Sequence, residues 1–273
     1  MTERDGAAAT EDGRGNQALE YGFVEYTVHD LLKVRFGKMF TPFGMFNEIH
    51  TAKPAFLTVK EAAKRTYTQS VAVTKDVINS VRMGQAPSIK KIKRVVQGIV
   101  DQILNEENSL VGLTTIRDYD EYTFTHSVNV CIFSVALGKR LGFGKVQLYD
   151  LGFAALFHDV GKSRVPAEVL NKSGSLTDDE WRQIAAHPWM GVLTLFGVRG
   201  QQELPLRAMI VAHEHHMKND LTGYPRPVRP RTMSIFSRIV AVADGFDAAT
   251  SRRSYQTTPL NPAAVMAEMR DNA

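Results

Sequence analysis

Several histidines and aspartates of this sequence stand beside apolar runs. The segment "AALFHDVGKSRVP" places His158 and Asp159 at the end of such a run, with Lys162 three residues later. Taken alone, this arrangement is more often a polar helix end than a metal site, because aspartate ends helices and lysine interacts with the last carbonyl groups. The positions of the other ionisable residues are therefore needed to distinguish a helix end from a metal site.

Five further residues of the same types also adjoin apolar segments: His126, His187, His215, His216 and Asp244. Burying such groups separately is costly, whereas grouping them around cations turns burial into coordination. Nitrogen and oxygen ligands without thiolate favour iron, manganese, cobalt or zinc over a structural zinc site. Together with His158 and Asp159 they suit two ions that share a bridging carboxylate. Two ions about 3.5–4 Å apart are suited to phosphate ester hydrolysis, and a nearby lysine can stabilise transition-state charge.

The segments that carry these residues are predicted to be helices. Residues 126–142 are apolar nearly all round and predict a central helix, and a second helix ends at the His-Asp pair. A third begins with a capping box, Thr177 and Glu180. Residues 60–83 and 88–103 also show helical spacing. The sequence therefore predicts an all-α helical bundle, with a domain boundary near residue 100.

Composition limits the classes of protein that the chain can belong to. Its 273 residues are 44 % hydrophobic and 23 % charged, as in a globular protein. The net charge of +4 is too small to indicate a nucleic-acid polymer as partner. The single cysteine, Cys131, excludes an intramolecular disulfide and a cysteine-rich zinc site, and is typical of the reducing cytoplasm. No run of about 18 apolar residues predicts a membrane span.

We make separate predictions for residues 1–16, for residues 17–100 and for the C-terminal end. Residues 1–16 are polar and rich in glycine and alanine, which predicts a disordered tail. Residues 17–100 are expected to form a smaller helical region that regulates the protein or makes it a homodimer. The chain ends at "VMAEMRDNA" without a capping glycine, so we expect the domain at 101–273 to be truncated at its C-terminal end.

A resemblance to a known family follows from the order of the motifs. His126 is followed by "HDVGK", "AAHPWMG", "HHMKNDLTGYP" and "RIVAVADGFDAATSRRSY". In this order the residues from about 100 onward resemble an HD-GYP domain, the subgroup of HD-superfamily phosphohydrolases that degrade cyclic di-GMP in bacteria. The combination is far more specific than any of its parts, since a Gly-Tyr-Pro run alone is a common turn.

The resemblance implies a bundle of the HD-domain type with two divalent ions, iron or manganese, and hydrolysis of cyclic di-GMP to pGpG or GMP. One ion would be held by His126, His158, Asp159 and Asp244. Asp159 would bridge to a second ion, held also by His187, His215 and His216. Lys162 would contact the scissile phosphate and would be catalytic together with Asp159. Gly223, Tyr224, Pro225 and Arg253 would line the substrate pocket.

Departures from the family pattern keep two alternatives open. Tyr122 stands where some relatives have a glutamate that recruits a third ion, so two ions are expected here. Met217, Leu221 and Gln256 replace a usual glutamate, glycine and basic residue. The chain could therefore be a degenerate domain that binds a cyclic dinucleotide or a protein without turnover. It could also be an HD hydrolase for another phosphoester.

Three residues beside the predicted ligands could orient them. Asp247 lies one turn after Asp244 and either bonds a ligand histidine or caps its helix; we favour the first. His213 and Glu214 either orient ligand imidazoles or are surface residues.

Overall fold

The computed structural model of the chain describes residues 23–29, 32–41, 44–47, 53–85, 88–114, 122–172, 174–197, 205–218, 220, 223–226, 232–251 and 259–271. Side chains are described from residue 61 onward, except at 106–109, 122 and 271. The predicted disordered tail, residues 1–16, lies outside these residues, as do Leu221, Arg253 and Gln256. The chain divides into two compact units, Met1–Ala63 and Lys64–Ala273, and each is described by itself.

The first unit contains three strands, β1 Phe23–His29, β2 Leu32–Thr41 and β3 Gly44–Asn47. They form an antiparallel sheet in the order β1-β2-β3, with Val24 opposite Phe36 and Met39 opposite Phe46. The expectation that residues 17–100 are helical is therefore wrong for residues 23–47. Residues 32–36, "LKVRF", alternate apolar and polar side chains with a period of two, which is the pattern of a strand.

The described part of the second unit consists of helices joined by short connections. In chain order these are α1 Lys53–Arg82, α2 Ile89–Leu113, α3 Tyr122–Arg140, α4 Lys145–Leu156, a 3₁₀ helix Val160–Arg164, α5 Ala167–Leu170, α6 Asp178–Ala185, α7 His187–Gly197, α8 Leu206–Glu214, α9 Ile235–Thr250 and α10 Pro262–Asp271. The unit boundary falls within α1. The expected all-α bundle is confirmed here, but its compact unit begins at residue 64 rather than near residue 100.

Helix α3 is the centre of the bundle. It packs against α2, α4 and α9, and α4 packs in turn against α8. The consecutive side chains of Val130, Cys131 and Ile132 are all buried, so every side of α3 faces protein. This is the central helix that the apolar sequence predicts. None of the helices in the described part of the chain is long and apolar enough to cross a lipid bilayer.

Local sequence explains the helix ends that surround the candidate site. Helix α6 begins at the predicted capping box, where the Thr177 side chain accepts a hydrogen bond from the backbone N–H of Glu180. Helix α9 begins after Ser234, whose side chain accepts a hydrogen bond from the N–H of Phe236. These ends hold the start of α6 and of α9 in place.

Candidate metal centre

Helix termini bring the predicted ligands together. His158 and Asp159 lie between the end of α4 and the 3₁₀ helix, and His187 is the first residue of α7. His215 and His216 directly follow α8. The remaining two, His126 and Asp244, extend from α3 and α9. Because α3, α4, α8 and α9 are neighbours in the bundle, residues that are up to 118 positions apart in the sequence meet at one place.

Asp159 lies at the middle of this cluster. Its Oδ1 atom is 3.3 Å from Nε2 of His187 and 3.5 Å from Nε2 of His215. Its Oδ2 atom is 3.4 Å from Nε2 of His158 and 3.8 Å from Nε2 of His126. The two oxygens of one carboxylate therefore face two different groups of imidazoles.

These contacts define two groups of donor atoms, each with its atoms within 4.8 Å of one another. One group consists of His126, His158 and Asp159, and the other of Asp159, His187, His215 and His216. Asp159 is the residue that they share. Asp244 adds to the first group, because its Oδ1 atom lies 3.2 Å from Nε2 of His126 and 3.9 Å from Nε2 of His158.

The protonation of three rings follows from their backbone partners. In each, Nδ1 donates to a main-chain carbonyl oxygen, which can only accept. The bonds are His158 to Ala155 at 2.7 Å, His187 to Ile184 at 2.7 Å and His215 to Ala212 at 3.1 Å. With the proton on Nδ1, the neutral ring has a lone pair on Nε2. All three Nε2 atoms point toward Asp159.

This arrangement fits a bound cation better than it fits an empty protein core. Nε2 of His187 and Nε2 of His215 lie 3.2 Å apart, and a hydrogen bond between them requires one of the rings to carry a positive charge. Nε2 of His158 and Oδ1 of Asp159 are buried and make no hydrogen bond among the described residues. Unpaired buried acceptors that face one another are costly, and a metal ion removes this cost by binding their lone pairs.

Burial and charge give these groups the protonation states that metal ligands need. Burial lowers the pKa of His215 to about 4, and burial together with the neighbouring His215 lowers that of His216 to about 2. Burial by itself raises the pKa of Asp159, but Lys162 and His158 outweigh it and hold the pKa well below its usual range. At pH 7 His215 and His216 are therefore neutral and Asp159 is anionic, the forms in which these groups bind metals.

His126 lies in a more negative environment than the other histidines. Burial lowers its pKa, but hydrogen bonds with Asp244 and Asp247 outweigh this effect and raise the pKa to about 9. Hydrogen bonding with His126 likewise holds the pKa of Asp244 below its usual range, although burial opposes it. The two carboxylates thus favour a positive charge at this ring.

Lys162 extends from the 3₁₀ helix to the edge of the cluster. Its Nζ atom is 2.6 Å from Oδ2 of Asp159, while 29 % of its side chain remains exposed. The backbone of this segment comes very close to α7: a Cβ on Gly161 would overlap the carbonyl oxygen of His187. Glycine is therefore needed at position 161 for Asp159 and His187 to lie side by side.

The Gly-Tyr-Pro segment packs against His216 of the cluster. A Cβ on Gly223 would overlap the carbonyl oxygen of His216, so glycine allows the loop to approach it. The N–H of Tyr224 donates to that oxygen at 3.1 Å, and the Tyr224 ring lies on the His216 ring with centroids 4.7 Å apart and an angle of 30° between planes. Burial raises the pKa of Tyr224, so its hydroxyl keeps its proton.

The structure brings most of the predicted site residues together. The seven predicted ligands converge, with Lys162 and the segment Gly223–Pro225 beside them, whereas Arg253 lies outside the described residues. The predicted hydrogen bond of Asp247 is present: Nδ1 of His126 donates to its Oδ2 atom at 2.7 Å.

Glu214 is not a surface residue, and it makes hydrogen bonds to the start of α9. Its Oε2 atom accepts hydrogen bonds from the N–H of Ser234 at 3.0 Å and from Oγ of Ser237 at 2.7 Å. It is also buried, at 3 % exposure. Glu214 thus links the end of α8 to the start of α9, and so helps to hold the elements that carry His215 and Asp244. The nearby His213 is half-buried, with its ring edge toward Trp189.

Two residues that the sequence analysis missed also border the site. Asn129 donates to Asp247 from one turn after His126 on α3, and Trp181 on α6 stands edge-on to Tyr224 with centroids 5.5 Å apart. Trp181 is 48 % exposed, so it offers an aromatic surface to solvent at the edge of the cluster. The position of Trp181 on an amphipathic helix, six residues before His187, could have indicated that it borders the site.

Comparisons with known proteins agree with this site. The HD domain family model matches residues 98–273. Over 185 residues the chain is 36 % identical to a cyclic di-GMP phosphodiesterase of Pseudomonas aeruginosa, covering 68 % of this chain and 44 % of that protein. It is 30 % identical over 193 residues to a cyclic di-GMP phosphodiesterase of Thermotoga maritima, covering 68 % and 51 %. The chain thus spans about half the length of these relatives.

Two further similarities concern substrate and fold. A 3'3'-cGAMP-specific phosphodiesterase of Vibrio cholerae is 34 % identical over 149 residues, which are 54 % of this chain and 31 % of that protein. An HDG"Y"P protein from Bdellovibrio bacteriovorus shares the fold, with a TM-score of 0.59 at 15 % identity over 93 % of this chain and 89 % of that one. The family match, the relatives and the ordered motifs lead to one conclusion: the chain belongs to the HD domain family, and it contains an HD-GYP domain.

Proposed function

We propose that this chain is a metal-dependent phosphodiesterase that hydrolyses cyclic di-GMP to pGpG, GMP or both. The proposal rests mainly on the position of Asp159: each of its two carboxylate oxygens faces a separate group of imidazole Nε2 atoms. A carboxylate in this position suits a pair of divalent ions. Two relatives that are named cyclic di-GMP phosphodiesterases support the choice of substrate.

The residues that would hold the ions are the ones whose donor atoms converge. His126, His158 and Asp244 would hold one ion, His187, His215 and His216 the other, and Asp159 would bind both. The ligand types suit iron or manganese. When bound, such ions polarise the phosphate and activate water for attack on phosphorus.

Lys162 supplies the positive charge that the protein itself brings to the phosphate. Its ammonium is anchored by Asp159 at 2.6 Å and remains partly exposed, so it can contact a phosphate oxygen without leaving the cluster. Negative charge on the phosphoryl oxygens increases in the transition state, and a fixed ammonium stabilises that state more than the ground state. Lys162 is therefore the proposed catalytic lysine.

Tyr224 and Trp181 would bind the bases of the substrate. Tyr224 lies on the ring of His216, and Trp181 extends the aromatic surface outward from it. Nucleobases stack on such surfaces with about 1–3 kcal/mol per base. Gly223 and Pro225 would hold the loop that positions Tyr224, and Arg253 is proposed to line the same pocket.

We also propose a second substrate of the same class, which the name of one relative supports. The 34 % identical relative from Vibrio cholerae is named as specific for 3'3'-cGAMP. The two substrates differ in one base, so the same metal centre and lysine would serve both, and contacts at the aromatic surface would discriminate between them. The expected cytoplasmic location and the expected homodimer through residues 17–100 remain part of the proposal and rest on the sequence alone.

The proposal is tested by anaerobic purification, metal analysis and chromatography of the products from cyclic di-GMP and from 3'3'-cGAMP. We expect about two iron or manganese ions per chain and release of pGpG or GMP. Three bound ions, or none in the presence of saturating iron and manganese, would contradict the proposed centre. Binding of cyclic di-GMP without any product would instead support the degenerate, signalling alternative.

A further inference from the structure

A chain of hydrogen bonds connects His126 to helix α1. Nδ1 of His126 donates to Oδ2 of Asp247 at 2.7 Å, and Nδ2 of Asn129 donates to Oδ1 of the same carboxylate at 2.9 Å. The hydroxyl of Tyr67, on α1, donates to Oδ1 of Asn129 at 2.9 Å. Asn129 and Asp247 are each 2 % exposed and His126 is 4 % exposed, so water does not compete for the inner bonds of this chain.

The donors and acceptors of this series of hydrogen bonds allow only one orientation of the Asn129 amide. A carboxylate only accepts, so the amide nitrogen of Asn129 must face Asp247. Its amide oxygen must then face α1, where the Tyr67 hydroxyl is the donor. A further donor to Asp247 is Oγ of Ser251, at 3.2 Å. Asp247 thus accepts from Asn129 and Ser251 and also from Nδ1 of His126, which keeps its proton there.

The same bonds fix the direction of the His126 ring. With Nδ1 held by Asp247, Nε2 is turned to Asp244 at 3.2 Å and to Asp159 at 3.8 Å. Partners of this kind orient ligand imidazoles, and replacing them lowers metal affinity by about 10–100-fold. The orientation of His126 therefore depends on Asp247 and, through it, on Asn129 and Tyr67.

We propose that Tyr67 and Asn129 are positioning residues, through which helix α1 sets the metal affinity of the group that contains His126. This inference rests on the metal centre of the proposed function. Without the Tyr67 hydroxyl, Oδ1 of Asn129 is left without this donor in the protein interior, so the orientation in which Asn129 donates to Asp247 is less strongly favoured. Tyr67 lies outside residues 98–273, to which the family model extends. Helix α1 thus becomes part of the metal centre.

The test compares Mn²⁺ binding to the full metal-depleted chain and to the Tyr67→Phe variant, which lacks one hydroxyl. Free Mn²⁺ is measured by electron paramagnetic resonance during titration. We expect one of two binding constants to weaken by about 3–10-fold in Tyr67→Phe and by about 10–100-fold in Asp247→Asn. Tyr149→Phe is the matched control, since Tyr149 is a half-buried tyrosine on α4 that takes no part in this chain, and its constants are expected to equal those of the wild type.

Two further variants separate positioning from a general loss of stability. Asn129→Ser cuts the chain at its next bond and should weaken the same binding constant by at least as much as Tyr67→Phe. The double variant Tyr67→Phe/Asp247→Asn should bind Mn²⁺ no more weakly than Asp247→Asn alone, because both changes break one chain. Fully additive effects would overturn the inference, as would equal weakening in Tyr149→Phe.

The outcome for the wild type separates this inference from the proposed function. A wild-type chain that binds two Mn²⁺ ions, with a Tyr67→Phe variant that binds them equally tightly, overturns the positioning role and leaves the metal centre intact. A wild-type chain that binds no Mn²⁺ overturns the metal centre and the positioning role together.

Discussion

Replacing Gly223 by alanine tests whether the Gly-Tyr-Pro loop binds substrate. An alanine Cβ would lie 2.8 Å from the backbone nitrogen of Lys218 and closer still to the carbonyl oxygen of His216. Both neighbours are backbone atoms, which cannot rotate away as a side chain does. The loop must therefore move off His216, and Tyr224 moves with it.

The size of the effect follows from the two contacts that this movement breaks. The hydrogen bond from the N–H of Tyr224 to the His216 oxygen, 3.1 Å long, contributes about 0.5–1.5 kcal/mol. The stacking of Tyr224 on His216 contributes about as much again, roughly 0.5–1.5 kcal/mol. The sum of about 1–3 kcal/mol corresponds to a decrease of about 5- to 150-fold in kcat/KM for cyclic di-GMP.

The assay combines steady-state kinetics with metal analysis and circular dichroism. We expect KM to increase, since the proposed contact of the loop with substrate would form in the ground state as well as in the transition state, and metal content to stay at the wild-type value. Gly197→Ala is the matched control, because a Cβ at the end of α7 would meet nothing within 4 Å. Its kinetics should equal those of the wild type. A Gly223→Ala variant with unchanged kcat/KM would refute the role of the loop, and one that loses its metal would show that the loop supports the ligands instead.

Three more predictions follow from the geometry of the cluster. Because Asp159 faces both groups of imidazoles, Asp159→Asn should abolish hydrolysis and lower metal content below that of His126→Ala; two ions retained by Asp159→Asn would contradict the shared ligand. Lys162→Ala should lower kcat by about 10²- to 10³-fold with metal content nearly unchanged, and normal turnover would make Lys162 a surface lysine. In the metal-free folded chain the pKa values of His215 and His216 are lowered to about 4 and about 2. Below about pH 6.5 these two histidines are therefore protonated in the unfolded state but not in the folded state, which destabilises the fold. The raised pKa of His126, about 9, has the opposite effect. His215 and His216 each lose about 2 kcal/mol and His126 gains about 1, so the free energy of unfolding should fall by about 3 kcal/mol between pH 7 and pH 5, measured by urea unfolding; constant or rising stability over this range would contradict it.

Sequence periodicity was sufficient to predict the helical bundle, but it did not predict the strands of the first unit. The apolar character of α3 predicted a central helix, and the capping box at Thr177 predicted the start of α6, since both depend on residues within a few positions of one another. Residues 23–47 mix aromatic and basic side chains, and within them residues 32–36 show the period of two that is typical of a strand. The antiparallel sheet that they form is the result.

The sequence by itself determined which residues can be ligands and, in part, how they are oriented. His158 donates to Ala155 and His187 to Ile184, each three residues earlier, so local helix geometry places the proton on Nδ1. Only the tertiary structure decided the rest. His126 is oriented by Asp247, 121 residues away, and Asn129 by Tyr67, 62 residues away. The sharing of Asp159 likewise depends on the packing of α4 against α8 and of the 3₁₀ helix against α7. Such contacts leave no periodic pattern in the sequence, because they depend on how whole helices cross rather than on the residues next to them.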